Sequence, residues 1–334
     1  MHHTSARRVY PDTKKSAGFT LVELTIALAL GIIISGAAVK LYLESKISYA
    51  QDEEMARLQE NARFALDYLK REISLSGFYG GIADTSSLFP GTVSTDCDGS
   101  GADWALDVST SMELVNNAPN SGTLATQNGT VFDCISSGDV VDGTDIFSTK
   151  RTADAATLDN GNVVVAAALK TWYLKKYDYS SYSWSFLTSA IPSDEATANS
   201  TYDYWQYYSN IYYIRDHSVS SDDNIPTLCN VSLINDEMEH RCLIEGIEDI
   251  QLEIGIDNDG DGIVDQYKNA PTTADFAKAV SVHLYLLARS VNPVFGYTNN
   301  KRYRLGVKNI PAFNDSYIRK VFSTTIKLRN IKLG

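Results

Sequence analysis

The chain has 334 residues, of which 44% are hydrophobic and 21% are charged. This composition is typical of a folded protein with one or two domains and excludes a largely disordered chain. The formal net charge is −12, so the chain as a whole lacks the clustered Lys and Arg that neutralise phosphates, and we expect no nucleic-acid partner.

A basic segment at the start of the chain precedes a long apolar one. Residues 1–18 contain four Lys or Arg against one Asp, and 21 nearly uninterrupted apolar residues run from Phe19 to Val39. As a helix, such a run spans about 31 Å, enough to cross a bilayer, and it exceeds the roughly 7–15 apolar residues of a cleavable secretory signal. The basic flank predicts that the first residues stay in the cytoplasm and the remainder lies outside it.

The apolar segment contains a single charged residue, Glu23. Burying a carboxylate in a membrane is costly, so a role as a plain membrane anchor does not explain this residue. The stretch "KKSAGFTLVEL" resembles the N-terminal signal of type IV prepilins and type II secretion pseudopilins, in which a basic leader ends in Gly and Phe follows. The resemblance implies that a prepilin peptidase cuts after Gly18 and methylates Phe19. It also implies that Glu23 is an assembly residue, whose carboxylate pairs in the filament with the Phe19 amine of a neighbouring subunit.

The helical pattern continues beyond the apolar segment to about Ser76. Apolar residues recur three and four positions apart, with polar residues of both signs between them. They are Leu58, Ala62, Ala65, Leu66, Leu69 and Ile73. Gly77 is a stop signal, as are the two glycines at positions 80 and 81. We therefore predict one helix from about Thr20 to Ser76, whose C-terminal half is amphipathic and docks on a globular domain.

The end of this helix resembles minor pilins of the PilW type. "ARLQENARFALDYLKREISLSGFYGG" is similar to the run that closes the long helix in those proteins, with Gly81 where many relatives have Cys. Three later stretches resemble the C-terminal half of the same family: Leu243–Tyr267, Ala279–Ser290 and Tyr317–Asn330. The resemblance covers both ends of the chain well and residues 82–205 poorly.

From Ile82 onward, the sequence has the pattern of β-strands. Alternating apolar residues predict strands at Gln251–Ile256, Ser281–Leu287 and Val321–Leu328, with Gly-, Asn-, Asp- and Ser-rich turns between elements. The predicted fold class is α+β, type IV pilin-like, with one long N-terminal helix packed on an antiparallel β-sheet head. The predicted segments are a leader at 1–18, a transmembrane and assembly helix at 19–43, an amphipathic helix at 44–77, and a β-rich domain at 78–334 with an elaborated insertion at 82–205.

Aromatic residues are concentrated in the middle of the chain. The segment from Trp172 to Tyr213 holds 10 of the 20 Tyr and three of the four Trp. Such residues are enriched at interaction hot spots, which would make this an adhesive or partner-binding face. They are also favoured in strands, where they pack across a sheet. We favour packing within the sheet.

All four cysteines follow the apolar helix and therefore lie on the oxidising side of the membrane. Four cysteines allow three connectivities. We favour Cys97–Cys134 and Cys229–Cys242, because each pair is close in sequence and flanks turn-rich or strand-like segments. Their spacing has no zinc-binding pattern.

An acidic loop, "DNDGDGIVDQYK", follows the first of the three predicted strands. Asp257, Asp259 and Asp261 occupy the first, third and fifth positions of an EF-hand-like loop, the Ile263 carbonyl the seventh and Asp265 the ninth. The twelfth position is a Lys where an EF-hand has Glu, so the loop resembles the shortened calcium loops of extracellular proteins, and similar loops recur in PilW-type sequences. We expect a weak Ca²⁺ site; the alternative is a metal-free acidic turn.

No zinc-protease, serine-hydrolase, P-loop or dinucleotide motif is present in the sequence, so we expect no enzyme. The resemblance implies a minor pilin of the type IV pilus that joins other minor pilins, the major pilin and a large pilus-tip protein. It implies an inner-membrane location with a periplasmic head before assembly, and the pilus tip afterwards. The alternatives are a type II secretion pseudopilin, and an adhesin or DNA-uptake pilin that binds ligand through the aromatic or the basic "KRYR" surface (residues 301–304).

Overall fold

The computed structural model describes residues 18–80, 82, 85–98, 103–178, 181–198 and 200–330. The predicted leader, apart from Gly18, and Gly81 lie outside the described residues. The chain divides into two compact units, residues 1–50 and residues 51–334.

Helix α1 runs from Leu21 to Leu75 without interruption, within one residue of the predicted bounds at each end. In the first unit its side chains are exposed, with only Ile47 partly covered. It is the one helix among the described residues that is long and apolar enough to cross a membrane, and none of its apolar window is buried.

In the second unit, α1 buries one face at the predicted three- and four-residue spacing. Five of the six predicted positions are buried, whereas Leu66 is half-buried. The buried ones are Leu58, Ala62, Ala65, Leu69 and Ile73. The helix ends as predicted before Gly77, which has a φ of +79° and donates its N–H to the Lys150 carbonyl. A Cβ at Gly77 would come within 2.7 Å of the Asn330 carbonyl oxygen, so glycine is required there for space as well as for conformation.

Among the described residues, nine strands form the larger sheet, and neighbouring strands in it pair antiparallel. The strands are β1 (Met112–Ala118), β2 (Thr144–Thr152), β3 (Leu158–Asp159), β4 (Asn162–Val163), β5 (Thr171–Tyr177), β6 (Ser181–Leu187), β7 (Asp203–Arg215), β8 (Thr227–Ile234) and β9 (Glu237–Glu245). The long strand β7 is central: it pairs with β2, β3, β5 and β8 along different parts of its length. Residues 82–205, where the insertion was predicted, thus add strands β1–β6 to the same sheet as β7–β9.

A second sheet of four antiparallel strands contains the three strands predicted from alternation. Its members are β10 (Ile247–Ile256), β11 (Gln266–Lys268), β12 (Ala279–Arg289) and β15 (Arg319–Lys327), in the order β11-β10-β12-β15. A separate hairpin consists of β13 (Tyr303–Leu305) and β14 (Lys308–Ile310), and a short helix, α2, spans Thr273–Phe276. In β10 the apolar side chains at 252, 254 and 256 are fully buried, as the alternation predicts.

The main core lies between α1, the four-stranded sheet and the adjacent face of the larger sheet. The two sheets are joined by Asp145 of β2, whose carboxylate accepts N–H bonds from Asn117 beside it and from Leu252 of β10 at 2.8 and 2.7 Å. A second core fills the opposite face of the larger sheet and contains Tyr207 and Tyr213 of β7. Both faces of β7 are therefore covered over part of its length.

The aromatic middle segment contributes to these two cores and to a third, smaller cluster that contains Tyr173 and Tyr204. Tyr173, Tyr204, Tyr207 and Tyr212 are fully buried, and the Tyr207 hydroxyl donates to the Ala105 carbonyl at 2.9 Å. The three tryptophans of the segment are only partly buried. For the buried tyrosines, packing within the sheet is thus the role that the structure shows.

The four cysteines form the two disulfides that their spacing in the sequence predicted. Cys97–Cys134 closes a loop of 37 residues, and Cys229–Cys242 links the neighbouring strands β8 and β9. Each cross-link contributes about 3 kcal/mol to stability by restricting the unfolded chain. The described part of the chain has no free cysteine.

Candidate functional site

The start of α1 is a capping box formed by Thr20 and Glu23. The Glu23 N–H donates to the Thr20 hydroxyl at 3.2 Å, while the Glu23 carboxylate accepts bonds from the Thr20 N–H at 2.9 Å and the Thr20 hydroxyl at 2.8 Å. These bonds satisfy donors that a helix start otherwise leaves without partners, and the negative charge lies at the positive end of the helix dipole.

Both bonds from Thr20 end on the same carboxylate oxygen, Oε2 of Glu23. Among the described residues, no hydrogen bond reaches Oε1. Just ahead of the helix, Phe19 is 89% exposed, and a Cβ at Gly18 would meet nothing within 4 Å. The carboxylate can therefore cap its own helix and accept a further donor at the same time.

The sequence pattern around Glu23 also predicts a capping role, which the resemblance to prepilins does not include. Thr-x-x-Glu ahead of an apolar run is the pattern of a capping box, and it occurs at Thr20–Glu23. Capping gives Glu23 a structural role within its own chain, but a cap does not require a charge, since Gln serves at the same position. The two roles of Glu23 can thus be separated by substitution.

A buried ion pair ties the second half of α1 to the larger sheet. Arg151 of β2 donates from Nε and Nη2 to the two carboxylate oxygens of Glu72 at 3.0 and 2.6 Å, and both side chains are at least 93% buried. The Tyr208 ring lies 4.5 Å from the Arg151 guanidinium carbon. Burial opposes the charge of Arg151, yet its bonds to Glu72 outweigh this effect and raise the pKa of the guanidinium above its ordinary value.

The acidic loop after β10 brings three of the predicted calcium ligands together. Single carboxylate oxygens of Asp257, Asp259 and Asp265 all lie within 4.8 Å of one another. Asp257 is buried and accepts N–H bonds from Gly260 and Gly262 at 2.6 and 2.7 Å. These bonds hold the loop in a tight turn around the Asp257 carboxylate.

Asp261, the fourth predicted carboxylate ligand, lies outside that group of three. The Asp261 carboxylate accepts the N–H of Ile263 at 2.7 Å, and the Ile263 side chain is exposed. Asp259 accepts the Asp261 N–H, which lowers the pKa of Asp259, but repulsion from the Asp261 charge, desolvation and repulsion from Asp265 outweigh that bond. The net result is a raised pKa at Asp259, as expected where like charges crowd.

Two family models match the chain. The "Prokaryotic N-terminal methylation motif" matches residues 13–39, and "Type IV Pilus-assembly protein W" matches residues 211–330. No curated protein matches significantly. Among solved structures, a type IV-like pilin from Thermus thermophilus aligns with 83% of this chain and 97% of its own, at 11% identity and a TM-score of 0.39.

The two matched segments contain the features described above. The methylation motif spans Gly18, Phe19 and the capping box, and the PilW segment begins in β7 and includes the Cys229–Cys242 disulfide and the acidic loop. The chain therefore resembles type IV minor pilins of the PilW type over two segments, the methylation motif at its start and the PilW match toward its end.

Proposed function

We propose that this minor pilin assembles through α1 into the complex that starts type IV pilus growth and remains at the pilus tip. The observation that carries the proposal is the start of α1, where Glu23 keeps Oε1 available on an exposed apolar helix. An apolar surface of this length is stable in a bilayer or against other apolar helices, and not in water.

In a bundle of such helices, the Glu23 carboxylate needs a cationic partner. The amine that leader removal creates at Phe19 supplies one, because an exposed Phe19 amine on one subunit can approach Glu23 of the next. Leaving either charge without its partner in an apolar bundle costs about 3–5 kcal/mol. The pair would therefore favour the correct axial position of each subunit over others.

Processing by a prepilin peptidase and assembly with other pilins are what the methylation motif implies. In the proposal, α1 holds the chain in the inner membrane with the head in the periplasm, and the chain then passes into the pilus. Its neighbours are other minor pilins, the major pilin and a large tip protein. The role is structural, and nucleic acid has no part in it.

Replacing Gly18 by Val should block leader removal. The uncut chain is expected to migrate about 2 kDa heavier on a denaturing gel, since 18 of the 334 residues of a 36.8 kDa chain are retained. A Cβ at this position meets nothing, so the head should fold normally. Gly36→Ala is the matched control, because Gly36 is also uncrowded and lies well inside the helix.

Normal pili from the Gly18→Val variant, with its leader retained, would contradict the proposal. Normal piliation in a strain without this protein, together with loss of protein secretion, would instead identify a pseudopilin. The measurements are an immunoblot for chain mass and electron microscopy of surface pili.

We also propose that the acidic loop binds Ca²⁺ through Asp257, Asp259 and Asp265. Carboxylate oxygens are the ligands that Ca²⁺ prefers, and three of them already lie within 4.8 Å of one another in this loop. With few carboxylates and no Glu at the twelfth position, the expected dissociation constant is about 10⁻⁴–10⁻³ M. The ion would hold the loop between β10 and β11.

Calcium at about 10 mM should stabilise the full chain, in a non-ionic detergent, by about 1.4–2.7 kcal/mol relative to a chelator, as follows from the expected affinity. Asp259→Asn should abolish the rise in melting temperature. Asp261→Asn, the matched control outside the group of three, should keep most of it. If the wild-type chain shows no heat of calcium binding and no change in melting temperature with calcium, the loop is a plain acidic turn.

A further inference from the structure

A groove lies on the head between the second half of α1 and the end of β9. We name it the α1–β9 groove. Its volume is about 530 Å³, and its lining includes Glu60, Asn61 and Phe64 of α1 and Leu243 and Glu245 of β9. Nδ2 of Asn61 donates to the Glu245 carbonyl at 3.1 Å, so the two walls of the groove are fixed relative to each other.

Two apolar side chains of the groove are exposed to solvent. Phe64 is 62% exposed on the outer face of α1. In β9, Leu243 is an extra residue between two that pair with β8, so it forms a bulge and its side chain is exposed. Bulges at the edge of a sheet often redirect a side chain in this way.

A third apolar side chain, Val219, follows Ser218 of the groove lining and is 90% exposed. The Asp223 carboxylate holds its loop by accepting the N–H groups of residues 218, 219, 220 and 225 at 2.8–3.0 Å. The Ser218 hydroxyl donates to Glu245 at 2.6 Å and ties the loop to β9. The three apolar side chains are therefore fixed in position, and a fixed, exposed apolar surface is typical of an interaction site.

The rim of the α1–β9 groove is acidic. Glu60 and Glu245 are exposed, and no cationic side chain lines the groove in the described part of the chain. The Glu60 carboxylate makes no hydrogen bond or ion pair with a described residue. Because like charges would meet, this rim disfavours an anionic lipid surface, and it favours a cationic partner. The groove thus fits an apolar side chain flanked by cations.

This chain itself has an element with that combination, which is the hairpin β13–β14 and the two residues before it. Lys301, Arg302 and Arg304 are exposed, and only here do three cations fall within four positions of the described chain. The side chains of Lys301 and Arg302 make no hydrogen bond or ion pair with a described residue. Val307, in the turn of the hairpin, is also exposed. We name residues 301–307 the basic hairpin.

The basic hairpin and α1 lie on opposite faces of the four-stranded sheet. The helix packs on the face that contains Leu252 and Ile254. The hairpin covers the other face, where Glu253 points, because a Cβ at Gly306 would lie 2.4 Å from Oε1 of Glu253. The hairpin therefore cannot occupy the groove of its own chain. Two different surfaces that meet between copies form a head-to-tail contact, which can continue beyond two copies.

We infer that the heads of this chain associate head to tail, with the basic hairpin of one copy in the α1–β9 groove of a second copy. In this contact Val307 packs on Phe64 and Leu243, and the cations of the hairpin pair with the carboxylates of the rim. It is a contact between heads, in addition to the assembly role of α1, and it does not depend on that role.

The test is sedimentation equilibrium of the full chain in a density-matched non-ionic detergent, at about 50 mM and about 1 M salt. We expect association that increases with protein concentration and weakens at high salt, because salt screens exposed charges. Association through the apolar part of α1 should not weaken with salt. The salt dependence therefore distinguishes the contact between heads from the assembly of α1.

Two double variants test the pairing of charges. Lys301→Glu with Arg302→Glu reverses the charge of the hairpin, and Glu60→Lys with Glu245→Lys reverses that of the groove. Each double variant alone should associate at least about tenfold more weakly than the wild type, because like charges then meet. An equimolar mixture of the two should recover the association, because each hairpin then meets a groove of opposite charge.

Lys278→Glu with Arg329→Glu is the matched control. It makes the same change of net charge at two exposed sites outside the hairpin and the groove, and it should associate like the wild type. The substituted side chains are all exposed, so the head should fold in every variant. Wild-type association that is absent or equal at both salt concentrations would overturn the inference. So would an equal loss in the control, or a mixture that associates no better than its components.

Discussion

Replacing Glu23 by Gln should reduce surface pili about a hundredfold while leader removal and the folding of the head stay normal. Gln can still accept the bonds from Thr20 and keep the capping box, but it has no charge to pair with the Phe19 amine of a neighbour. The substitution thus removes the proposed pairing role and retains the capping role. The measurement is the yield of sheared pili and their count by electron microscopy.

The complementary change, Thr20→Ala, removes the cap and keeps the charge. Loss of a helix cap costs about 1 kcal/mol, so this variant should still make pili. If Glu23→Gln makes normal pili and Thr20→Ala does not, Glu23 acts only as a cap and the pairing with a neighbour is wrong. Glu44→Gln, which removes an exposed carboxylate further along α1, controls for the loss of one charge.

Breaking the buried pair between α1 and β2 should have the largest effect on stability. Arg151→Met leaves the Glu72 carboxylate buried without its partner, which costs about 3–5 kcal/mol. Replacing both residues by Met should recover much of this loss, because it removes both charges from the interior. Denaturant unfolding of the full chain in detergent provides the free energies.

The neighbouring residue on the helix provides a matched control. Arg71 pairs with Asp154 at 3.1 Å, but both side chains are more than 60% exposed. An exposed pair contributes at most about 1 kcal/mol, so Arg71→Met should change stability little. Equal losses for Arg71→Met and Arg151→Met would show that burial of the Arg151 pair has no energetic importance.

Sequence patterns predicted the elements of the fold that depend on interactions between residues close together in the chain. The three- and four-residue spacing of apolar side chains predicted the buried face of α1, and Gly77 predicted its end, because both depend only on residues one or two turns away. Alternation similarly predicted β10, β12 and β15. The cysteine pairs were predictable because each joins residues that are near in sequence.

Contacts between distant parts of the chain could not be predicted from such patterns. Glu72 and Arg151 are 79 positions apart and meet only because β2 lies beside α1. The hydrogen bonds among Asn210, Asn230 and Ser232 likewise depend on the pairing of β7 with β8, which no local spacing specifies. In the acidic loop, the spacing predicted five ligands, and that set stays a prediction; which carboxylates approach one another depends on the turn around Asp257.

Mass spectrometry of sheared, purified pili tests the central claim most directly. The account predicts a peptide that begins with N-methylated Phe19, present at a small fraction of the major subunit. A chain found only in the membrane fraction, or one in the pili that still carries residues 1–18, would contradict it.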